Sequence, residues 1–457
     1  MHDLTQGSIF RHLIRLALPI AVGMVFQTLY VLVDLYFVAR LGDTAIAGVS
    51  AAGNAQFLVM ALTQVLGVGT MALIAQAAGR RDRDDANRIF NQSLVLALGC
   101  ALLTLLFGYG LTGWYMHEIG ADQQTAVAGK TYLFTFLPGL ALQFALVTMG
   151  SALRGTGIAK PTMVVQLLTV LLNALLAPIL IAGWLTGKPL GVAGAGLATS
   201  LSIAAGVAMM TWYFARLESY VGLDRRELRP QWAQWRRILA IGLPPGGEFA
   251  LMFLYLGVIY AVIGSFGAAA QAGFGVGSRV MQAIFLPAIA LAFACSPIAA
   301  QNVGAGQPDR VREVFRTAAW AGSAVMLVLT LICQWRPGWF ITGFTDEPDV
   351  VAIGGQFLRI ISWNFVASGL IFTCSGMFQA LGNTLPALMS SASRLFTFVL
   401  PVLWVSAQPG FSLRQVWFVS VASVAMQALL SLWLLRREMS RRLQGLSVDS
   451  ATLTASA

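Results

Sequence analysis

Residues 14–38 read IRLALPIAVGMVFQTLYVLVDLYFV, and residues 239–263 read LAIGLPPGGEFALMFLYLGVIYAVI. Each run is long enough to cross a hydrocarbon core, which takes about 20 mostly apolar residues in a helix. A Leu-Pro pair stands near the start of both, Leu18-Pro19 and Leu243-Pro244, 225 residues apart. A helix satisfies its own backbone where no water can reach it. A β-barrel would instead show short alternating segments, and stretches such as Ser93 to Leu106 do not alternate.

Working outward, further apolar runs begin near Ala45, Arg88, Ala126, Lys160 and Leu190, and then near Ala270, Val311, Val350, Thr384 and Phe411. With the opening pair they make twelve. Of the 457 residues, 57% are hydrophobic and 11% charged, with 46 Gly and 16 Pro. Soluble domains carry about 25% charged residues, so this composition excludes a soluble enzyme as well as disordered and collagen-like chains. The mean hydropathy is +0.74. The expected fold class is an all-α integral membrane protein of twelve transmembrane helices.

The first run follows Arg11 and Arg15, as the apolar core of a signal peptide would. It exceeds the 7–15 apolar residues of such a core and no small-residue cleavage site closes it, so it reads as a retained membrane helix. The four cysteines (Cys100, Cys295, Cys333, Cys374) stand singly in apolar runs and the three histidines (His2, His12, His117) make no cluster. Metal, disulfide and cofactor roles are not expected; the cysteines read as small packing residues.

Lys and Arg accumulate in cytoplasmic loops. With the N-terminus inside, most of the 29 fall on the inner side, in clusters such as Arg80-Arg81-Asp82-Arg83, Arg225-Arg226 and Arg436-Arg437. The outer segments hold Arg40, Lys130, Lys188, Arg336 and Arg414, while Arg279, Arg359 and Arg394 lie inside apolar runs. Both termini are therefore expected in the cytoplasm of a multi-pass plasma (bacterial inner) membrane protein. The formal net charge of +10 needs no nucleic-acid partner; it reflects topology and contact with anionic lipid.

The offset of 225 recurs along the chain. Gly42 and Gly48 match Gly267 and Gly273; Gln76 and Gly79 match Gln301 and Gly304; Asp84 and Phe90 match Asp309 and Phe315. Trp114 pairs with Trp339, Gly129 with Gly354, Gly157 with Gly382 and Pro161 with Pro386. A six-helix unit is written twice. Six spans per copy give parallel repeats, related by an axis along the membrane normal. The expected organisation is an N-lobe over 1–217, a cytoplasmic linker over 218–237, a C-lobe over 238–437 and a disordered cytoplasmic tail over 438–457. Two linked, pseudo-equivalent lobes suggest alternating access, whereas a channel more often assembles symmetric subunits. A monomer is expected.

The duplicated landmarks carry a family resemblance. Gly42-Asp43-Thr44-Ala45 with Ala47-Gly48 follows the first helix, and Ala75-Gln76 with Gly79 closes the second. Arg154-Gly155-Thr156-Gly157 with Lys160-Pro161 joins the fourth to the fifth; Asn173 with Pro178 sits in the fifth, and Gly194 to Thr199 opens the sixth. In this order and spacing, from Leu4 to Arg437, the chain resembles the multidrug and toxic compound extrusion (MATE) family. The resemblance implies a secondary transporter rather than an enzyme, an antiporter that exports organic, often cationic, or other amphipathic compounds against inward Na⁺ or H⁺.

Of the 19 Asp and Glu residues, only Asp34 and Glu248 fall well inside apolar runs. An intramembrane carboxylate is costly and marks a functional site by default. Gln27, Tyr30 and Asp34 share one helix face at i, i+3 and i+7, while the counterpart of Asp34 in the second lobe is Ile259. Packing at that site therefore needs no charge. Gln166, Thr169 and Asn173 lie on one face of the fifth helix, and Thr199 and Ser202 in the sixth. The resemblance makes Asp34 the cation-coupling residue and has Asn173 and Thr199 complete its site; Gln27, Tyr30, Gln166, Thr169, Ser202 and Glu248 are further polar cavity candidates. A second acid is common in the family four residues after the Asn, where this chain has Ala177. Sodium wants several hard oxygen ligands, as alkaline-earth cations do, and a proton needs one basic oxygen. The departure favours H⁺ over Na⁺, with Asp34 the place where Na⁺ would bind.

Glu248 follows Pro244-Pro245-Gly246-Gly247, a stretch that distorts its helix, so it either contacts substrate or satisfies backbone groups freed by the prolines. Arg359 is expected to snorkel outward. The basic Arg80–Arg83 loop is superficially similar to that of major-facilitator carriers, but its match, Ala305 to Pro308, is not basic. The alternative function is a lipid-linked precursor flippase of the related superfamily, which tends to carry a cationic cavity and extra spans. A membrane enzyme would need a catalytic constellation, and the spans hold no HExxH, GxSxG or Asp dyad.

Overall fold

The computed structural model describes residues 1–120, 122–185 and 187–455. Twelve of its helices are long and apolar enough to span a membrane: α1 Ile9–Ala39, α2 Asp43–Gly79, α3 Arg83–Ile119, α4 Gln123–Gly155, α5 Lys160–Ile181 and α6 Val192–Arg216, then α7 Trp232–Phe266, α8 Ala268–Gly304, α9 Pro308–Trp335, α10 Pro348–Leu381, α11 Leu385–Ser406 and α12 Leu413–Gln444. No strand occurs among the described residues. The last helix continues to Ala455; residues 456 and 457 of the expected tail lie outside the described residues.

Local chemistry sets the helix starts. The Asp82 side chain accepts from Asp85 N at 3.0 Å to cap α3, and Asp122 accepts from Thr125 N at 2.7 Å to cap α4. That backbone bond holds the Asp122 carboxyl below the usual carboxylate range. Proline stands in the first turn of α5, α9, α10 and α11, where its missing N–H costs nothing. The duplication extends to backbone angles. Gly42 and Gly267 begin α2 and α8 at φ +102° and +91°, values open to glycine at little cost.

The chain packs as two compact units. Unit 1 comprises Met1–Asp3 with Val22–Gly242, and unit 2 comprises Leu4–Ala21 with Leu243–Ala457. The division falls inside α1 and α7, next to Pro19 and Pro244. Within unit 1 the first turns of α7 press on α2 backbone to backbone. A Cβ on Gly69 would lie 2.3 Å from Ile238 O, and one on Gly242 would lie 1.9 Å from Val65 O. The linker is strapped to α3 in the same unit. Asn87 Oδ1 accepts from Gly222 N at 2.9 Å, Asn91 Nδ2 donates to Gly222 O at 2.9 Å, and Gln92 Nε2 donates to Arg229 O at 2.7 Å. In unit 2 the N-terminal segment is held alike, with Leu4 N donating to Gln301 Oε1 at 3.0 Å and Arg310 Nη2 donating to Gly7 O at 3.1 Å.

Each unit has its own core. In unit 1, α4 lies against α2, α3 and α6 around Phe90, Phe136 and Phe144. In unit 2, α8, α10 and α12 close on Phe274, Phe357 and Trp417. Large apolar side chains such as Leu102, Leu106 and Phe107 of α3 stay more than half exposed, as a lipid-facing surface requires.

Candidate functional site

The polar stripe of α1 does not lie at one depth of burial. Gln27 is exposed, Tyr30 half-buried and Asp34 buried. The Asp34 carboxylate faces the side chains of Asn173 on α5, Tyr132 on α4 and Thr199 on α6. All three are buried, Asn173 completely. Four helices of unit 1 thus bring one carboxylate, one amide and two hydroxyls together, and the Tyr30 hydroxyl joins them by donating to Thr199 O at 3.5 Å.

The cluster is under-satisfied. Asp34 Oδ1 and both polar atoms of Asn173 are buried without a hydrogen-bond partner. Leaving a buried polar group unpaired costs about 1–3 kcal/mol, more for a charge, so such a group in a native fold calls for an explanation. The Thr199 hydroxyl donates to Ala195 O at 3.1 Å and keeps only its acceptor capacity for the cluster. Ala177, one turn beyond Asn173, is fully buried and brings no oxygen.

The other candidates lie elsewhere. Thr169 and Ser202 turn their hydroxyls onto their own helices, donating to Gln166 O at 2.7 Å and to Ala198 O at 2.8 Å, a common choice inside helices. Gln166 is half-buried, two turns before Asn173. Glu248 belongs to unit 2, and its hydrogen-bond partner is Ser391 of α11 rather than the backbone of its own helix. Arg359 is exposed. Among the described residues no group of three or more His, Cys, Asp or Glu side chains could hold a metal ion.

Tyr132 was not singled out by sequence reasoning, since an aromatic residue on an apolar helix reads as packing. The signal was the duplication: its counterpart is Phe357. The hydroxyl, like the carboxylate of Asp34 against Ile259, is present in one copy alone.

Comparisons with known proteins agree with this architecture. The probable multidrug resistance protein YpnP of Bacillus subtilis is 27% identical over 91% of this chain and 91% of its own length. NorM of Thermotoga maritima, also described as a probable multidrug resistance protein, is 26% identical over 92% of this chain and 91% of its own. The multidrug export protein MepA of Staphylococcus aureus is 25% identical over 94% and 95%. A MATE family multidrug resistance transporter of the MOP superfamily, solved in an outward-facing conformation, superposes with a TM-score of 0.89 at 24% identity, covering 96% of this chain and 98% of its own. The MatE family profile matches twice, over residues 19–179 and 244–405, and the two matches begin at the same prolines that mark the internal repeat. The chain is therefore a member of the MatE family of multidrug efflux transporters, with the family's unit present as two repeats.

Proposed function

We propose that this protein is a secondary active exporter that exchanges organic, often cationic, compounds for inward-moving protons by alternating access, with Asp34 as the coupling carboxylate. The observation that carries the reading is the unpaired Asp34–Asn173 pair. An amide both donates and accepts. Nδ2 of Asn173 suits a charged carboxylate, and Oδ1 suits the O–H of a protonated one, so one neighbour serves both states of the exchange. Tyr132 and Thr199 fill out the same pocket, while Ala177 leaves it with a single acid. A bare metal cation is best held by several oxygens with more than one negative charge among them, and here a single carboxylate carries all the charge; a proton needs one basic oxygen. The relatives' names, multidrug resistance and export proteins, support the substrate class.

Alternating access is supported by the repeat and by α1 and α7, each divided between the units beside a proline, where a helix bends most readily. The setting would be the bacterial inner membrane with both termini cytoplasmic, on the distribution of Lys and Arg. The test is efflux of a fluorescent cationic dye from proteoliposomes with the potential clamped and each gradient imposed in turn. Efflux driven by a pH difference in the absence of Na⁺ is expected; efflux driven by Na⁺ and indifferent to pH would overturn the ion assignment.

A further inference from the structure

Unit 2 carries an open groove of about 380 Å³ between the first turn of α1 and the N-terminal half of α9, lined by Phe10, Arg316, Thr317, Trp320 and Ala321. All five belong to that unit. Phe10 and Trp320 are large apolar side chains left 56% and 80% exposed. Arg316 is exposed as well, and no ion pair neutralises it among the described residues. Its neighbour one turn earlier, Arg312, is by contrast paired with Asp309 at 2.7 Å.

The other repeat shows how the equivalent surface looks when the chain covers it. By the 225-residue offset, Arg312, Arg316 and Thr317 match Asn87, Asn91 and Gln92 of α3, the three amides that grip the linker. Asn91 Oδ1 also accepts from Asp224 N at 3.0 Å, and Gln92 Oε1 from Gln231 N at 2.9 Å. Asn91 and Gln92 are fully buried beneath that strap. An amide both donates and accepts, and so matches a peptide. A guanidinium only donates and carries a charge, and so calls for an anion.

We infer that this groove binds one anionic phospholipid, with its phosphate on Arg316 and the Thr317 hydroxyl and an acyl chain over Phe10 and Trp320. Depth supports the placement. From Thr317 to Trp335 α9 holds no charged residue, and Arg316 and Arg336 flank that run. Residues 317–335 rise about 28 Å as a helix, close to the ~30 Å of a hydrocarbon core. Arg316 then stands at the level of the lipid phosphates, and Trp320 lies one turn deeper, where interfacial aromatic residues gather. Charge selects the headgroup, since a zwitterionic lipid brings its own ammonium and gains less from an unpaired guanidinium. An apolar helix of a second copy would instead bury that charge without a partner, which is unfavourable. The bound lipid ties the first turn of α1, ahead of Pro19, to α9 inside unit 2. Neither the exported compound nor the coupling ion bears on this site.

The full-length protein in maltoside micelles, titrated with phosphatidylglycerol, should show a saturable rise in its unfolding midpoint, because a ligand that binds only the folded state stabilises it. Arg316→Gln removes the charge at the headgroup and should raise the half-saturating lipid concentration about fivefold. Trp320→Ala keeps the charge, removes the apolar wall, and should raise that concentration too. Both variants alter exposed side chains, so their midpoints without lipid should match the wild type's. Arg336→Gln deletes the same charge at the far border of α9 and should leave the half-saturating concentration unchanged. An Arg316→Gln protein that titrates like the wild type would overturn the inference, as would an equal midpoint rise with phosphatidylcholine. Inorganic phosphate that produces the rise alone would leave an anion site without a lipid. A midpoint that climbs with protein concentration and not with lipid would assign the groove to a second copy. Either result defeats the lipid assignment.

Discussion

At four equivalent positions the two units make opposite choices. Unit 1 has Asp34, Tyr132, Asn173 and Thr199 where unit 2 has Ile259, Phe357, Phe398 and Val424. Phe357 and Phe398, with Ile259 against them, are part of a dense aromatic packing: Phe274 stacks on Trp417 at 5.7 Å, and Phe357 meets Trp417 edge-on at 4.8 Å. Phe357 is 2% exposed and Phe398 fully buried. Each such side chain contributes roughly 1.5–3 kcal/mol of burial, while each unpaired polar group in unit 1 costs about 1–3 kcal/mol. One backbone plan therefore supports both an aromatic core and a poorly satisfied polar pocket. At these four positions duplication leaves one copy to stabilise and frees the other to hold groups that stability alone would remove.

The sharpest way to break this comparison is at Asp34. Asp34→Asn keeps the shape and removes the titrating group, so pH-driven dye efflux should fall to background while thermal unfolding in detergent stays within about 1 kcal/mol of the wild type, the usual range for changes that create no cavity or unpaired charge. Efflux at the wild-type level would remove Asp34 from the mechanism.

Next in size is the missing acid. Ala177→Asp would place a second carboxylate one turn from Asn173. Two carboxylates in one pocket raise the cost of leaving both ionised, and a bound cation relieves it. Efflux should then acquire Na⁺ dependence that the wild type lacks. An unaltered response to both ions would show that Ala177 does not face the pocket.

Asn173→Ala removes a neighbour that serves both states of Asp34. A hydrogen bond to a charged group is worth roughly 1.5–3 kcal/mol, so a loss of about tenfold to a hundredfold in the initial rate of pH-driven efflux is expected. A change below threefold would reduce Asn173 to packing.

Much of this architecture could be read from residues alone, for physical reasons that also explain where reading fails. Apolar runs declare themselves because lipid tolerates little else, and Asp34 stood out because its repeat partner Ile259 does the packing without a charge. The strip through Gln27, Tyr30 and Asp34 could be read as one helix face but not as a gradient from exposed to buried, because i, i+3 and i+7 specify a face of a helix and not the depth of burial along it. Tyr132 was hidden because an aromatic ring serves packing and hydrogen bonding alike. The partner of Glu248 was out of reach, since Ser391 is 143 residues away and only the packing of α7 on α11 joins them. The division of α1 and α7 between the units depends on contacts such as Gly242 against Val65 O, which no local pattern encodes.

The smallest predicted effects come from exchanging residues between the repeats, one for one. Tyr132→Phe takes the unit 2 residue into unit 1 and removes a hydroxyl beside Asp34. Its ring still packs against Phe136 at 5.2 Å, so stability should hold while efflux weakens several-fold. The reverse change, Phe357→Tyr, puts a hydroxyl into an apolar core with no partner, at about 1–3 kcal/mol, and should lower the unfolding midpoint without altering the pH response. Thr199→Val is smaller still. The Thr199 hydroxyl already donates to Ala195 O, so it offers Asp34 no hydrogen, and valine has nearly its shape. The loss is one weak acceptor near a protonated carboxyl, worth roughly 0.5–1.5 kcal/mol, or about two- to tenfold in efflux rate. The asymmetry between the paired exchanges is the test. If Tyr132→Phe and Thr199→Val cost stability rather than coupling, and Phe357→Tyr is silent, the polar residues of unit 1 are structural and the contrast between the repeats says nothing about transport.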